Sequence, residues 1–413
     1  MSAHHAYINK STLLYLKKTI KIDGREHFAS CLSKTHSKKL IAKYLLTAIF
    51  ILTMAFIFAG CNYSYPIEIE NNLASISTSF EKTENGTDFY TTIKPFIDPE
   101  KPEFAIEFAR RLKDIKQMGV KSIEFKIIGI KKDFNKEGSN VVRVKIKESY
   151  EKHNSVNSIN YWADFTLKKD MAYFSDLAFE YISDGNITLY YDEKLEPISK
   201  EIFQSIKTAY KKVSNILPGK TEKVVVKAYS DNKIFASFVK PSIGFDMMGW
   251  NEAGEAVKIN FGLIKWRTME DTVLEKILDT ILIHEVTHLI SGKMSGNNIP
   301  YWFAEGLATY VENSPAEGLP SLSLDNLAVE NIENITDEKL LRQYYVDSEI
   351  YIKNFARKKG MGELIRILEL MGEYPVNIED AGSSMELTNK VFAEIIKKEY
   401  NLNTRKFGEM LLK

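Results

Sequence analysis

The sequence predicts an α+β fold: a helix-plus-antiparallel-sheet domain, then a second mixed domain built around one long amphipathic helix. Three observations predict it. A proline-led helical pattern near residue 104 gives way to successive alternating segments. A strand–helix–strand–strand order begins near residue 185. A helical apolar face then runs from Val273 to Ile290.

The 413 residues suffice for two or three domains, and 44% apolar with 27% charged residues is ordinary for folded protein. The net charge of zero hides an asymmetry. Residues 1–43 carry nine Lys/Arg against Asp23 and Glu26, a net +7, so the rest of the chain is mildly acidic. An acidic body argues against nucleic acid as a partner, because phosphate binding needs clustered cations.

The first segment, 1–60, reads as an export signal. Lys38, Lys39 and Lys43 precede Leu45–Ala59, an uncharged apolar run of 15 residues. The run ends Phe58-Ala59-Gly60-Cys61, which resembles the lipobox of bacterial lipoprotein signal peptides, with Phe58 where Leu is usual. The resemblance implies cleavage before Cys61 and a lipid on its sulfur. A single-pass helix over 44–60 is the alternative, and either reading places the body on the extracytoplasmic face of the cell membrane. Cys31 is the other cysteine, and a disulfide to Cys61 would cross the apolar run, so none is expected. Residues 1–38 are long for a signal peptide's basic start and suggest a start site further downstream.

Residues 61–84, rich in Ser, Asn, Thr and Glu, read as a tether. In the next domain, 85–184, Pro102 leads a helix marked by Phe104, Phe108, Leu112 and Ile115 and stopped by Gly119. Strand patterns follow at Ser122–Ile130, around Val142–Ile146, at Tyr161–Leu167 and at Met171–Tyr181. This order resembles nuclear-transport-factor-like or cystatin-like sheets. His153 sits in a polar loop and reads as solvated. The last domain, 185–413, opens with a strand at Ile187–Tyr191, a helix over Pro197–Leu217, and strands at Val224–Ala228 and Ala256–Phe261.

The chemistry concentrates in the next helix. Thr268 or Asp271 can cap it, and His284-Glu285-Val286-Thr287-His288 lies on it. Four residues advance about 400°, so both imidazoles leave one face and can bind one Zn²⁺. Glu285, one residue on, projects beside the metal as a proton acceptor. Of seven histidines, His4, His5, His27 and His36 belong to the N-terminal segment, so two of the remaining three sit in this motif. A catalytic zinc needs a third protein ligand. The candidate is Glu305 in Pro300-Tyr301-Trp302-Phe303-Ala304-Glu305-Gly306-Leu307-Ala308, where a lone carboxylate among apolar residues is costly unless it binds something.

HEVTH followed by W-x-x-E-G-x-A resembles the gluzincin zinc metallopeptidases, most of all the peptidase MA-like family of exported bacterial proteins, over about residues 187–375. The strand and helix order from residue 187 is also that of a zincin's upper lobe. The resemblance implies a gluzincin domain with one zinc per chain on His284, His288 and Glu305. It implies Glu285 as general base for a zinc-bound water, and peptide or protein as substrate. Gluzincins often add a Tyr or His that stabilises the oxyanion. Tyr344, Tyr345 and Tyr351 are candidates, and family spacing before Ser348 favours Tyr345. Thr309 is a candidate to hydrogen-bond a ligand. The Ala256–Phe261 strand is expected at the sheet edge, free to pair with substrate. A non-catalytic zinc lipoprotein acting in binding or assembly is the alternative class.

Overall fold

Helix α1, Ser64–Lys82, opens the computed structural model, which describes residues 64–413 apart from 85–87, 132–139, 154, 170, 219–222, 244–245, 314–317, 331–334, 336 and 378–380. The apolar run, the lipobox residues and Cys61 lie outside the described residues. No helix among the described residues is long and apolar enough to cross a membrane. The chain divides into two compact units, Met1–Ile67 and Glu68–Lys413, and both sheets and the candidate site belong to the second.

Residues 64–82 of the expected tether are helical instead. Ile69, Leu73, Ile76 and Phe80 recur at helical spacing and are buried. Asn72 is buried with them and donates to the carbonyls of Phe96 (2.9 Å) and Ala172 (2.8 Å). Helix α2, Phe89–Ile93, and helix α3, Pro102–Gln117, follow, with Pro102 in the first turn, where its missing N–H costs nothing.

Strands β1 (Ile123–Ile130), β2 (Val141–Lys152), β3 (Ser155–Lys168) and β4 (Met171–Leu177) form an antiparallel sheet in sequence order. Phe104 and Phe108 of α3 pack edge-on against Phe174 of β4, which stacks on Phe165 of β3 at 5.0 Å. His153 is exposed at the β2–β3 turn.

The stretch Met171–Tyr181, expected as one strand, breaks at Ala178-Phe179. Its last two residues, Glu180 and Tyr181, belong to β5, Glu180–Asp184, in a different sheet. That sheet adds β6 (Ile187–Tyr191), β7 (Val224–Tyr229), β8 (Gly249–Trp250) and β9 (Val257–Asn260), in the order β5-β6-β7-β9-β8. β6, β7 and β9 are parallel, and β5 and β8 close the two edges antiparallel. Helix α4, Ser199–Ile216, links β6 to β7. Asp184 and Ile187 are partners in the β5–β6 hairpin, so the boundary expected at 184/185 falls in its turn.

Helix α5, Asn232–Val239, lies between β7 and β8. Its Phe235 and Phe238 join the core of the first sheet, so the two sheets share apolar side chains. They also share buried charge. Every residue of β7 is buried, Lys227 included. Lys227 Nζ reaches Glu107 of α3 at 2.6 Å and Asp176 of β4 at 2.7 Å. Glu107 Oε1 accepts from the backbone N of Ala256 at 2.9 Å, and Lys258 of β9 pairs with Glu255. Arg110 of α3 also reaches Glu255, at 2.9 Å. Buried charges survive folding only when paired, and this network ties α3 to the strand leading to the candidate site.

The remaining helices build the second core: α6 (Asp271–Met294), α7 (Tyr301–Glu312), α8 (Leu324–Val329), α9 (Glu338–Lys359), α10 (Met361–Gly372), α11 (Ala381–Tyr400) and α12 (Thr404–Leu412). Gly306 of α7 fits against the backbone of α9. A Cβ there would lie 2.6 Å from the carbonyl carbon of Ser348, so the glycine permits a close helix crossing.

Candidate metal centre

Helix α6 carries the motif because Leu274, Leu278, Leu282, Val286 and Ile290 bury one stripe at helical spacing. Glu270 occupies the N-cap position, rather than Thr268 or Asp271. His284 and His288 leave the helix together, one turn apart, and face α7. Pro300 precedes α7 in an extended conformation and starts it where Glu305 meets the histidines.

The three expected ligands converge. His284 Nε2 and His288 Nε2 are 3.1 Å apart. Glu305 Oε2 is 3.2 Å from the first and 3.4 Å from the second. Donors bound to tetrahedral zinc at about 2.0–2.1 Å stand about 3.3 Å from one another, so this triangle fits one such ion. Two imidazoles and a carboxylate are also the donor types that zinc takes. Among the described residues, this is the one cluster of His, Cys, Asp or Glu close enough to hold a metal.

The electrostatics agree with a cation-binding corner. Burial alone would push the His284 imidazole down. Hydrogen bonds to Glu305 and Glu312, with the charges of Glu305 and Glu285, carry it well above its ordinary value. Burial opposes ionisation of Glu305, but the His288 charge and the imidazole hydrogen bonds hold its carboxyl at about 2. Glu285 shifts the other way. Burial raises its carboxyl and the two histidines only partly offset that. A buried carboxylate with a raised pKa is a better proton acceptor than an exposed one.

Residue Glu312 was not identified from the sequence. Its Oε2 lies 3.0 Å from His284 Nδ1 and so sets the ring's tautomer and orientation. It stands seven residues after Glu305, two turns along the same face of α7, and that spacing was the available signal. Thr309 does not take this part: its hydroxyl donates to the carbonyls of Glu305 (2.7 Å) and Gly306 (3.1 Å) within its own helix.

Of the three tyrosines, Tyr345 reaches the site. Its ring is 6.4 Å from that of His284, and it lines the cavity. Burial, then the charges of Glu305 and Glu285, raise its hydroxyl well above the usual range, so it stays a proton donor. Tyr344 is fully buried away from the cavity, and Tyr351 donates to the Leu322 carbonyl at 3.2 Å.

The cavity in front of the histidines has a volume of about 430 Å³. The edge strand forms part of its wall, and that strand is not the expected Ala256–Phe261. β9 is not the edge: the two-residue β8 covers it, pairing Gly249 with Ile259 and Trp250 with Lys258. A strand of two residues leaves no alternation to detect in a sequence. Gly249 presses its backbone onto the Glu285 carboxylate, where a Cβ would lie 2.7 Å from Cδ. No protein-family model matches the chain, and no curated protein matches it.

Proposed function

We propose that the chain is a zinc-dependent metallopeptidase of gluzincin type, held on the extracytoplasmic face of the membrane by a lipid on Cys61. The observation that carries the catalytic reading is the donor triangle of His284, His288 and Glu305, with sides of 3.1–3.4 Å, opening on a cavity walled by an edge strand. When bound there, zinc supplies Lewis-acid polarisation of the scissile carbonyl and brings the pKa of a water toward about 7.

The chain's own residues supply the rest. Glu285, buried and raised, takes the proton of the attacking water and delivers it to the leaving amine nitrogen. Tyr345 presents a protonated hydroxyl to the oxygen on which charge develops. Glu312 keeps the Nδ1–H of His284 engaged, so Nε2 offers its lone pair to the ion. The outer edge of β8 offers backbone groups to an extended peptide lying along the cavity.

The zinc-loaded protein is expected to cleave members of a peptide library. A chelator abolishes the cleavage and added zinc restores it. Cleavage that survives complete metal removal, or a zinc-loaded protein that cleaves nothing, overturns the reading; the second outcome favours a binding or assembly role. For the anchor, Cys61→Ser is expected to accumulate as unprocessed precursor of lower gel mobility, and unchanged processing refutes it.

A further inference from the structure

The charge of the cavity lining points to a class of substrate, and this step rests on the metallopeptidase reading of the same site. Asp246, Glu252, Glu285, Glu305 and Glu312 line the cavity, and among the described residues no Lys or Arg does. Even with a divalent cation at the histidines, five carboxylates leave the lining negative. Four of these acids have other work or are withdrawn from solvent. Glu305 and Glu312 hold His284, Glu285 is buried against Gly249, and Glu252 is buried. Asp246 is the exposed one.

A relay of amides fixes Asp246 in place. Asn260, fully buried on β9, donates from Nδ2 to Asn232 Oδ1 at 2.7 Å and to the Met247 carbonyl at 2.9 Å. Asn232 Nδ2 in turn donates to Asp246 Oδ1 at 3.0 Å. The backbone N of Asn260 donates to the Met248 carbonyl at 2.8 Å, so one buried residue also holds Met247 and Met248, the two residues before β8. Ile243, three residues before Asp246, and Met248, two residues after it, also line the cavity. An apolar wall next to a fixed carboxylate suits a side chain with an aliphatic stem and a cationic head.

We propose that Asp246 selects substrates that place a cationic group, ammonium or guanidinium, in this part of the cavity, and that the lining disfavours substrates with carboxylates there. The cation can come from an internal Lys or Arg side chain or from a free peptide N-terminus. In both cases it meets Asp246, and Ile243 and Met248 receive the adjoining aliphatic carbons.

The test uses the zinc-loaded full chain carrying Glu285→Gln, so that labelled peptides bind without being consumed, with wild-type cleavage measured in parallel. Four peptides differ at one position: acetylated Lys, acetylated norleucine, acetylated Glu, and norleucine with a free amine. The acetylated Lys peptide, or the free-amine peptide, is expected to bind about two- to fivefold more tightly than acetylated norleucine, and the Glu peptide more weakly still. Which of the two cations gains identifies its source. The advantage shrinks toward unity in Asp246→Asn, which keeps an acceptor for Asn232, reverses in Asp246→Lys, and fades as salt rises from about 0.05 to about 0.5 M. Equal binding of cationic and neutral peptides, or a full cationic advantage in Asp246→Asn, overturns the proposal. Selective binding with no cleavage by zinc-loaded wild type instead overturns the metallopeptidase reading and leaves the charge selectivity standing.

Discussion

Replacing Gly249 by alanine should silence the proposed base without touching the proposed metal ligands. The added Cβ would lie 2.7 Å from Glu285 Cδ and 2.9 Å from Cγ, and nearer still to Oε1. Ordinary contact begins at 3.4 Å, so the carboxyl carbon has to retreat by about 0.7 Å and the oxygen by more. What must move is the end of a flexible side chain, so the stability cost is small, about 1 kcal/mol or less. The functional cost is larger, because a displacement near 1 Å from productive geometry costs about 10²-fold in rate. The assay is kcat/KM on a cleaved library peptide, with zinc content and far-ultraviolet circular dichroism on the same preparation. The expected result is one zinc, an unchanged spectrum and a kcat/KM down about a hundredfold. Wild-type kcat/KM in Gly249→Ala would refute the placement of Glu285 against the edge strand and, with it, the geometric basis of its role.

Three further outcomes rest on other contacts. Glu312→Ala removes the partner of His284 Nδ1 and is expected to weaken zinc binding about 10- to 100-fold in a chelator competition; unchanged affinity contradicts the assignment. Glu107→Ala strips one of two buried carboxylates from Lys227, which keeps Asp176, and removes the acceptor of the Ala256 amide; it should cost roughly 1–3 kcal/mol in urea unfolding, and no measurable change means the network does not bind α3 to the second sheet. Hydrogen bonds from Arg366 and Tyr400 hold the Glu363 carboxyl at about 2. A folded pKa below the unfolded one, about 4.3, gives stability that is complete above that value and lost as pH falls from it toward 2. Acid unfolding of Glu363→Gln should therefore show a flatter dependence on pH between about 4.5 and 2 than wild type, and parallel curves refute the linkage.

The parts legible in the sequence were those whose signal is local. The α6 face repeats at helical spacing, so the sequence alone places His284 and His288 on one side. Glu305 was legible because an isolated carboxylate among Trp302, Phe303 and Leu307 calls for a partner. Strands with strict alternation, such as β1, were legible for the same reason.

What escaped depends on tertiary partners. Helix α1 has its apolar residues at helical spacing, but intervening Asn and Ser residues make its composition look solvated. One of them, Asn72, is a buried donor to two carbonyls, which composition cannot signal. The break at Ala178-Phe179 sends one apolar stretch into two sheets, a choice made by packing rather than by pattern. β8 is too short to show a period, so β9 looked like an edge. Asp246 gains its place only through Asn232 and Asn260, 14 residues away from each on either side. The distant amides are unremarkable in isolation.

In the proposed function, the His284–His288–Glu305 corner, with Glu285 beside it, hydrolyses peptide bonds. The most direct test is a peptide-library digest by zinc-loaded wild type alongside zinc-loaded Glu285→Ala. Cleavage by wild type and none by Glu285→Ala is the expected result, with the same zinc content and the same circular dichroism spectrum. Full cleavage by Glu285→Ala contradicts it.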